Sequence, residues 1–191
     1  MADSPREAII RDLTRPPGQP ARLSIPHRAR RGAVRSVVYR GGHPFQARPE
    51  TIRFLKERRR GRQALVAVEF EDTAGNQWRY VCGAISGNGA GWEAQGAAGG
   101  SGREPDRAEP WANFGGWGLP RFLCLGGTVH GQVDRVRLVD ARGMVVDEDT
   151  VDDHVALLMT DEPVRQPSAV ELYDAGGRLL RSQPWPPAGL P

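Results

Sequence analysis

The segment that decides the fold is Val68-Glu-Phe70-Glu-Asp72-Thr-Ala-Gly75, and its pattern returns as Val136-Arg-Leu138-Val-Asp140-Ala-Arg-Gly143 and Val170-Glu-Leu172-Tyr-Asp174-Ala-Gly-Gly177. Apolar residues stand at every second position, which is the period of a strand with one buried face. Each copy then has an Asp, whose carboxylate can accept hydrogen bonds from the following backbone, and a Gly that can adopt a positive φ. Both residues are typical of a tight hairpin turn. Three such hairpins predict a mostly β, antiparallel protein.

Other alternating segments bring the expected total to about nine or ten short strands, separated by turn residues at a spacing typical of all-β domains. This pattern favours a two-sheet antiparallel β-sandwich over a closed barrel. In architecture the sequence resembles immunoglobulin-like and transthyretin-like sandwiches, and the resemblance goes no further than architecture.

Two short helices are expected near the N-terminus. Ser4, Pro5 and Glu7 form the N-terminal signature of a helix over residues 4–13. A second helix is expected near 49–60, because apolar residues share one face there and three arginines stand in its last turn. The chain is therefore divided into a basic, Pro/Arg-rich arm with a short helix (1–33), a β-sandwich domain (34–183) and a Pro-rich tail (184–191).

Charge is distributed unevenly along the 191 residues. Residues 1–63 carry 16 basic and 5 acidic side chains, whereas residues 64–191 carry 10 basic and 18 acidic ones. A basic arm beside an acidic body predicts either an anionic partner or an arm folded onto its own body. No apolar stretch is long enough for a membrane span, and the start of the chain lacks a secretory signal. We therefore expect a cytoplasmic protein with no membrane association.

Several acidic residues invite comparison with metal sites. Asp72, Asp140 and Asp174 are explained by hairpin turns alone. The segment 147–154 holds four aspartates and one glutamate, but its spacing differs from that of an EF-hand loop. A solvated acidic hairpin is the favoured interpretation. No metal and no cofactor is therefore expected.

A nucleophilic pair is conceivable at Cys124 and His130, which stand on either side of Gly126-Gly127. No nucleophile elbow surrounds them, and both cysteines of the chain, Cys82 and Cys124, lie in apolar segments typical of buried free thiols. No catalytic residue is assigned. A hydrolytic enzyme with an unrecognised site remains one alternative function.

The candidate binding surface is an aromatic, Gly-rich segment within residues 99–119, which is expected to be a long loop. Rigid aromatic side chains dominate many recognition surfaces, and an amide and a guanidinium can orient a partner. The candidate partner-binding residues are Trp111, Asn113, Phe114, Trp117 and Arg121. The alternative is a buried plug at the end of the sandwich, and burial of the aromatics is favoured.

Nucleic-acid binding is the other alternative, because a basic segment can neutralise phosphates. The arginines lack interleaved aromatic residues and any helix-turn-helix or zinc-finger pattern. The candidate residues are Arg28, Arg30, Arg31, Arg58, Arg59 and Arg60. The main hypothesis is a non-catalytic cytoplasmic module that binds a protein partner through the aromatic loop and the basic arm.

Overall fold

The computed structural model describes residues 2–19, 21–29, 32–40, 43–86, 91–101, 108–119, 122–160 and 167–185. For residues 21–40, 101, 117–119 and 122 within these ranges, only the backbone is described. All structural statements below concern these residues.

The described residues form one α-helix, one 3-10 turn at Pro49–Thr51 and thirteen strands. The helix α1 spans Pro5–Leu13. The strands are β1 (Ala21–Ala29), β2 (Gly32–Arg40), β3 (Arg53–Arg60), β4 (Gln63–Glu71), β5 (Gln77–Ser86), β6 (Trp92–Ser101), β7 (Trp111–Leu119), β8 (Phe122–His130), β9 (Arg135–Asp140), β10 (Val145–Thr150), β11 (Val155–Met159), β12 (Pro167–Tyr173) and β13 (Leu179–Pro184).

The strands form antiparallel sheets, so the predicted mostly β, sandwich-like fold class is confirmed. The N-terminal sheet has the order β3-β4-β5-β6, the middle sheet β11-β8-β7 and the outer sheet β10-β9-β12-β13, while β1 and β2 form a separate hairpin. Three sheets are stacked where the sequence suggested two. The middle sheet packs against the other two sheets, and every residue of its strand β11 is buried.

Three apolar clusters hold the layers together. One lies between the middle and outer sheets and includes Phe114 and Leu138. A second lies between the N-terminal and middle sheets and includes Leu65 and Leu157. The third packs α1 against the other face of the N-terminal sheet. The helix starts as expected, because the Ser4 side chain accepts a hydrogen bond from the backbone N–H of Glu7.

The three predicted hairpins are confirmed, and they share one turn geometry. In the β4–β5 turn, the Asp72 carboxylate accepts the backbone N–H groups of Ala74 and Asn76, at 2.9 and 2.8 Å. Gly75, Gly143 and Gly177 have φ values of 86°, 74° and 79°, as this turn requires. Burial raises the pKa of Asp72, but hydrogen bonds from Trp78 and Asn76 outweigh it and lower the pKa to about 2.

Two expectations for local structure were wrong. The helix expected near 49–60 is a 3-10 turn followed by β3, which pairs with β4 from Arg53 to Arg60 with one register shift between Phe54 and Lys56. The long loop expected over 99–119 is the end of β6 followed, after residues outside the described ranges, by β7. Only two apolar residues at 49–60 have helical spacing, so the pattern predicts a helix weakly. The segment forms a strand because its charged side chains bind partners elsewhere in the fold.

Candidate functional site

The charged edge is the place where β3 of the N-terminal sheet lies beside β11 of the middle sheet and β10 of the outer sheet. Arg58 and Asp147 form a two-pronged ion pair with N···O distances of 2.7 and 2.8 Å. Lys56 lies 2.7 Å from Asp149. Asp147 is buried, with a side chain that is 6% exposed. The aspartates of 147–149, which we expected to be solvated, are therefore structural ion-pair partners.

The same side chains bond the free backbone edge of β11. Asp149 and Asp147 accept the backbone N–H groups of Leu157 and Met159, each at 2.7 Å. Arg58 donates to the carbonyl of Leu157 at 2.6 Å, and Arg60 donates to that of Met159. Side chains therefore substitute for the missing neighbouring strand, which leaves this edge closed to another chain.

Part of the predicted phosphate-binding set of arginines forms contacts within the chain. Arg58 and Arg60 bond to the acidic part of the same chain, and Arg59 pairs with Glu57 and lies over the ring of Trp92. The side chains of Arg28, Arg30 and Arg31 lie outside the described residues. The described members of the basic set therefore already have partners within the chain.

The glycine edge is the opposite side, where β6 lies beside β7 without a hydrogen-bonded pairing. A Cβ atom at Gly115 would lie 2.6 Å from the Cβ of Ala98, so glycine permits this close approach. No charged residue occurs in Gln95–Gly100 or in β7. These segments of β6 and β7 therefore contribute no charged side chain of the kind that blocks strand addition at the charged edge.

A cleft of ≈ 960 Å³ lies between the N-terminal and middle sheets and reaches both edges. Its lining includes the buried Ala67, Val81 and Val155. Polar side chains also line it, among them Asn113, Thr128, His130, Arg53, Glu69 and Arg79. The lining of the cleft is therefore more polar than apolar, and it includes both charged and amide side chains.

A row of alternating charges crosses the N-terminal sheet inside the cleft. Arg53, Glu69, Arg79 and Gly100 are successive cross-strand partners on β3, β4, β5 and β6. Arg53 lies 2.7 Å from one Glu69 oxygen, and Arg79 lies 3.2 Å from the other. Burial raises the pKa of Glu69, but its hydrogen bonds from Arg53 and Arg79 outweigh burial and lower it. The register of the β4–β5 hairpin places Glu69 directly opposite Arg79.

The β10–β11 turn closes one end of the cleft and has an unusual backbone. Asp153 and His154 have φ values of 47° and 60°, and they are the non-glycine residues with positive φ in the described part of the chain. Residues other than glycine rarely adopt a positive φ, although Asp and His do so more often than most. Asp153 lies 3.6 Å from Arg53, which links the turn to the N-terminal sheet.

The predicted partner-binding residues are divided between different environments. Asn113 is exposed at the cleft, whereas Phe114 is 8% exposed and packs in the core between the middle and outer sheets. Trp111 is half-buried, and the guanidinium of Arg181 lies 4.7 Å from its ring centre. The side chain of Trp117 and all of Arg121 lie outside the described residues. The sequence analysis did not identify Arg53 and Gly100, although the hairpin register predicts the neighbouring pair of Glu69 and Arg79.

The considered nucleophilic pair is not assembled. Cys124 and His130 stand in one continuous strand, β8, and six residues of a strand span roughly 20 Å. Burial also raises the pKa of Cys124 to about 12, which disfavours the reactive thiolate. Among the described residues, no group of three His, Cys, Asp or Glu side chains is placed to hold a metal ion.

No family model, curated protein or solved structure matches this chain. Within the described ranges, no helix has both the length and the apolar character that crossing a bilayer requires.

Proposed function

We propose that this protein is a protein-binding module that takes an extended segment of a partner at its glycine edge. The observation that carries the proposal is that β7, the predicted aromatic segment, is an uncharged edge strand beside an open cleft. Edge strands offer unpaired backbone groups, and an extended peptide satisfies them by adding a strand.

The contact between Gln183 and β7 supports this mode of binding. The Gln183 side-chain amide accepts the backbone N–H of Ala112 at 2.9 Å and donates to its carbonyl at 3.4 Å. An amide therefore already bonds one position of the outer edge in the manner of a neighbouring strand. Because backbone groups alternate in direction along a strand, Phe114 and Gly116 have the next outward groups.

The surroundings of this edge suit a peptide better than a bulky rigid ligand. Gly99, Gly100 and Asn113 are exposed, so a backbone can approach closely. The half-buried Trp111 flanks the site and adds apolar contact area. Specificity would then come from pockets for alternate side chains of the bound segment.

The test is a selection of 12-residue peptides from a random phage-displayed library on the full chain, with affinities measured by calorimetry. We expect bound peptides to slow amide hydrogen exchange at Phe114 and Gly116. Asn113→Lys should weaken binding at least tenfold, because it places a charge and a long side chain in the site. Gln132→Lys, the same change at an exposed amide in the β8–β9 turn, is the matched control.

Two results would contradict the proposal. One is a library from which no peptide is enriched. The other is a bound peptide that protects amides of β3 or β10 and leaves those of β7 unchanged.

A further inference from the structure

We infer that the bound partner segment presents an acidic side chain, Asp or Glu, whose carboxylate pairs with Arg79 in the space above Gly100. This inference rests on the proposed function, since it assigns the chemistry of one position in the segment bound at the glycine edge. Its basis is the interrupted row of charges on the cleft face of the N-terminal sheet.

Along the row the side chains are positive, negative and positive, and the fourth position is a glycine without a side chain. Arg53, Glu69 and Arg79 are consecutive cross-strand neighbours, and the next partner is Gly100 on β6. Opposite charges on neighbouring strands stabilise each other. A carboxylate at the fourth position would continue the alternation.

Space for that carboxylate is present. A Cβ atom at Gly100 would have no atom of the described residues within 4 Å, whereas one at the adjacent Gly99 would clash with the carbonyl oxygen of Arg79. The open position therefore belongs to Gly100 in particular, on the side of β6 that faces the cleft. Gly100 is exposed, so a group from outside the chain reaches this position.

The charges at this position favour an anion. The two oxygens of Glu69 are held by Arg53 and Arg79, one each, so the three groups together carry one net positive charge. Arg79 contacts Glu69 through Nη2, and a guanidinium has five N–H donors in a fork that suits carboxylates. Among the described residues, the further acid that pairs with this row is Asp153, which lies at the far end beside Arg53.

A titration tests the site without any partner. Gly100→Asp supplies the carboxylate from within the chain, and its pKa is measured by NMR with and without Arg79→Gln. We expect a pKa about one unit lower when Arg79 is present, because an opposite charge favours the ionised form. Arg142→Gln, at an exposed turn residue, should leave that pKa unchanged. Equal pKa values with and without Arg79 would overturn the inference.

Peptides from the selection supply the second arm. Replacing their Glu or Asp by the corresponding amide should weaken binding at least tenfold to the wild type and by less than twofold to Arg79→Gln. Amidating the peptide C-terminus should have little effect; a large effect would assign the carboxylate to the terminus and overturn the side-chain assignment. Peptides that bind at β7 regardless of acidic residues would leave the proposed function standing and contradict this inference alone.

Discussion

The two edges at which the N-terminal sheet meets the middle sheet are built on opposite principles. At the charged edge, Arg58, Asp147 and their neighbours bond to each other and to the backbone of β11. At the glycine edge, the strands approach through Gly115 and Ala98, and no ladder of hydrogen bonds joins them. The side chains of the first edge close it to other chains, and the second is the edge at which we propose that a partner segment binds.

The largest effect is expected at the charged edge. Asp147→Ala should lower the free energy of unfolding by about 3–5 kcal/mol, because it leaves Arg58 without its carboxylate partner and the Met159 N–H without an acceptor. Urea denaturation measures this. The control is Glu148→Ala, which removes a half-exposed partner of Arg137 and should cost about 0.5 kcal/mol. Similar losses for both variants would show that the charged edge contributes no special stability.

At the glycine edge, the addition of a single methyl group should lower the free energy of unfolding. Gly115→Ala places a Cβ 2.6 Å from that of Ala98, and such overpacking costs about 1–3 kcal/mol. Adding Ala98→Gly should restore most of the loss, because it removes the clashing atom. Gly100→Ala, where the space is open, is the control and should change stability by less than about 0.5 kcal/mol. A failure of Ala98→Gly to rescue would contradict the proposed contact.

The smallest effect is expected in the turn that ends the cleft beside the charged edge. His154→Gly should raise the free energy of unfolding by about 0.5 kcal/mol, since relief of the positive φ outweighs the added freedom of the unfolded chain. Thermal and urea unfolding both report it. Ala141→Gly, at a turn residue without positive φ, should be destabilising instead. Stabilisation by both variants would mean that backbone strain is not the cause.

The hairpins and the first helix were readable from sequence because their signals are local. Asp72 and Gly75 determine a turn with their immediate neighbours, and Ser4 caps α1 three residues away. The Glu69–Arg79 pair was also readable, since the hairpin register places the two opposite each other. The cleft that this pair lines was not readable from the sequence, because the same polar pattern is typical of a solvent-exposed sheet face and of a cleft.

The missed strands depend on distant residues. Lys56 and Arg58 of β3 pair with acidic residues about ninety positions further along the chain, as in the pairing of Arg58 with Asp147. The sequence of β7 has no regular polar–apolar alternation, since four of its residues are glycines or alanines and two are tryptophans. The cleft combines residues of both sheets, and no local pattern predicts which of them meet.

The order of strands in the middle sheet also has a consequence for folding. In this sheet β8 and β11 are neighbours, but β9 and β10 stand between them in the chain and belong to the outer sheet. The β9–β10 hairpin closes through local contacts and is expected to form early, whereas β11 can pair with β8 only once that hairpin has turned the chain back. Completion of the middle sheet is therefore expected late in folding, and conditions that slow it would leave the β8 edge exposed for the longest time.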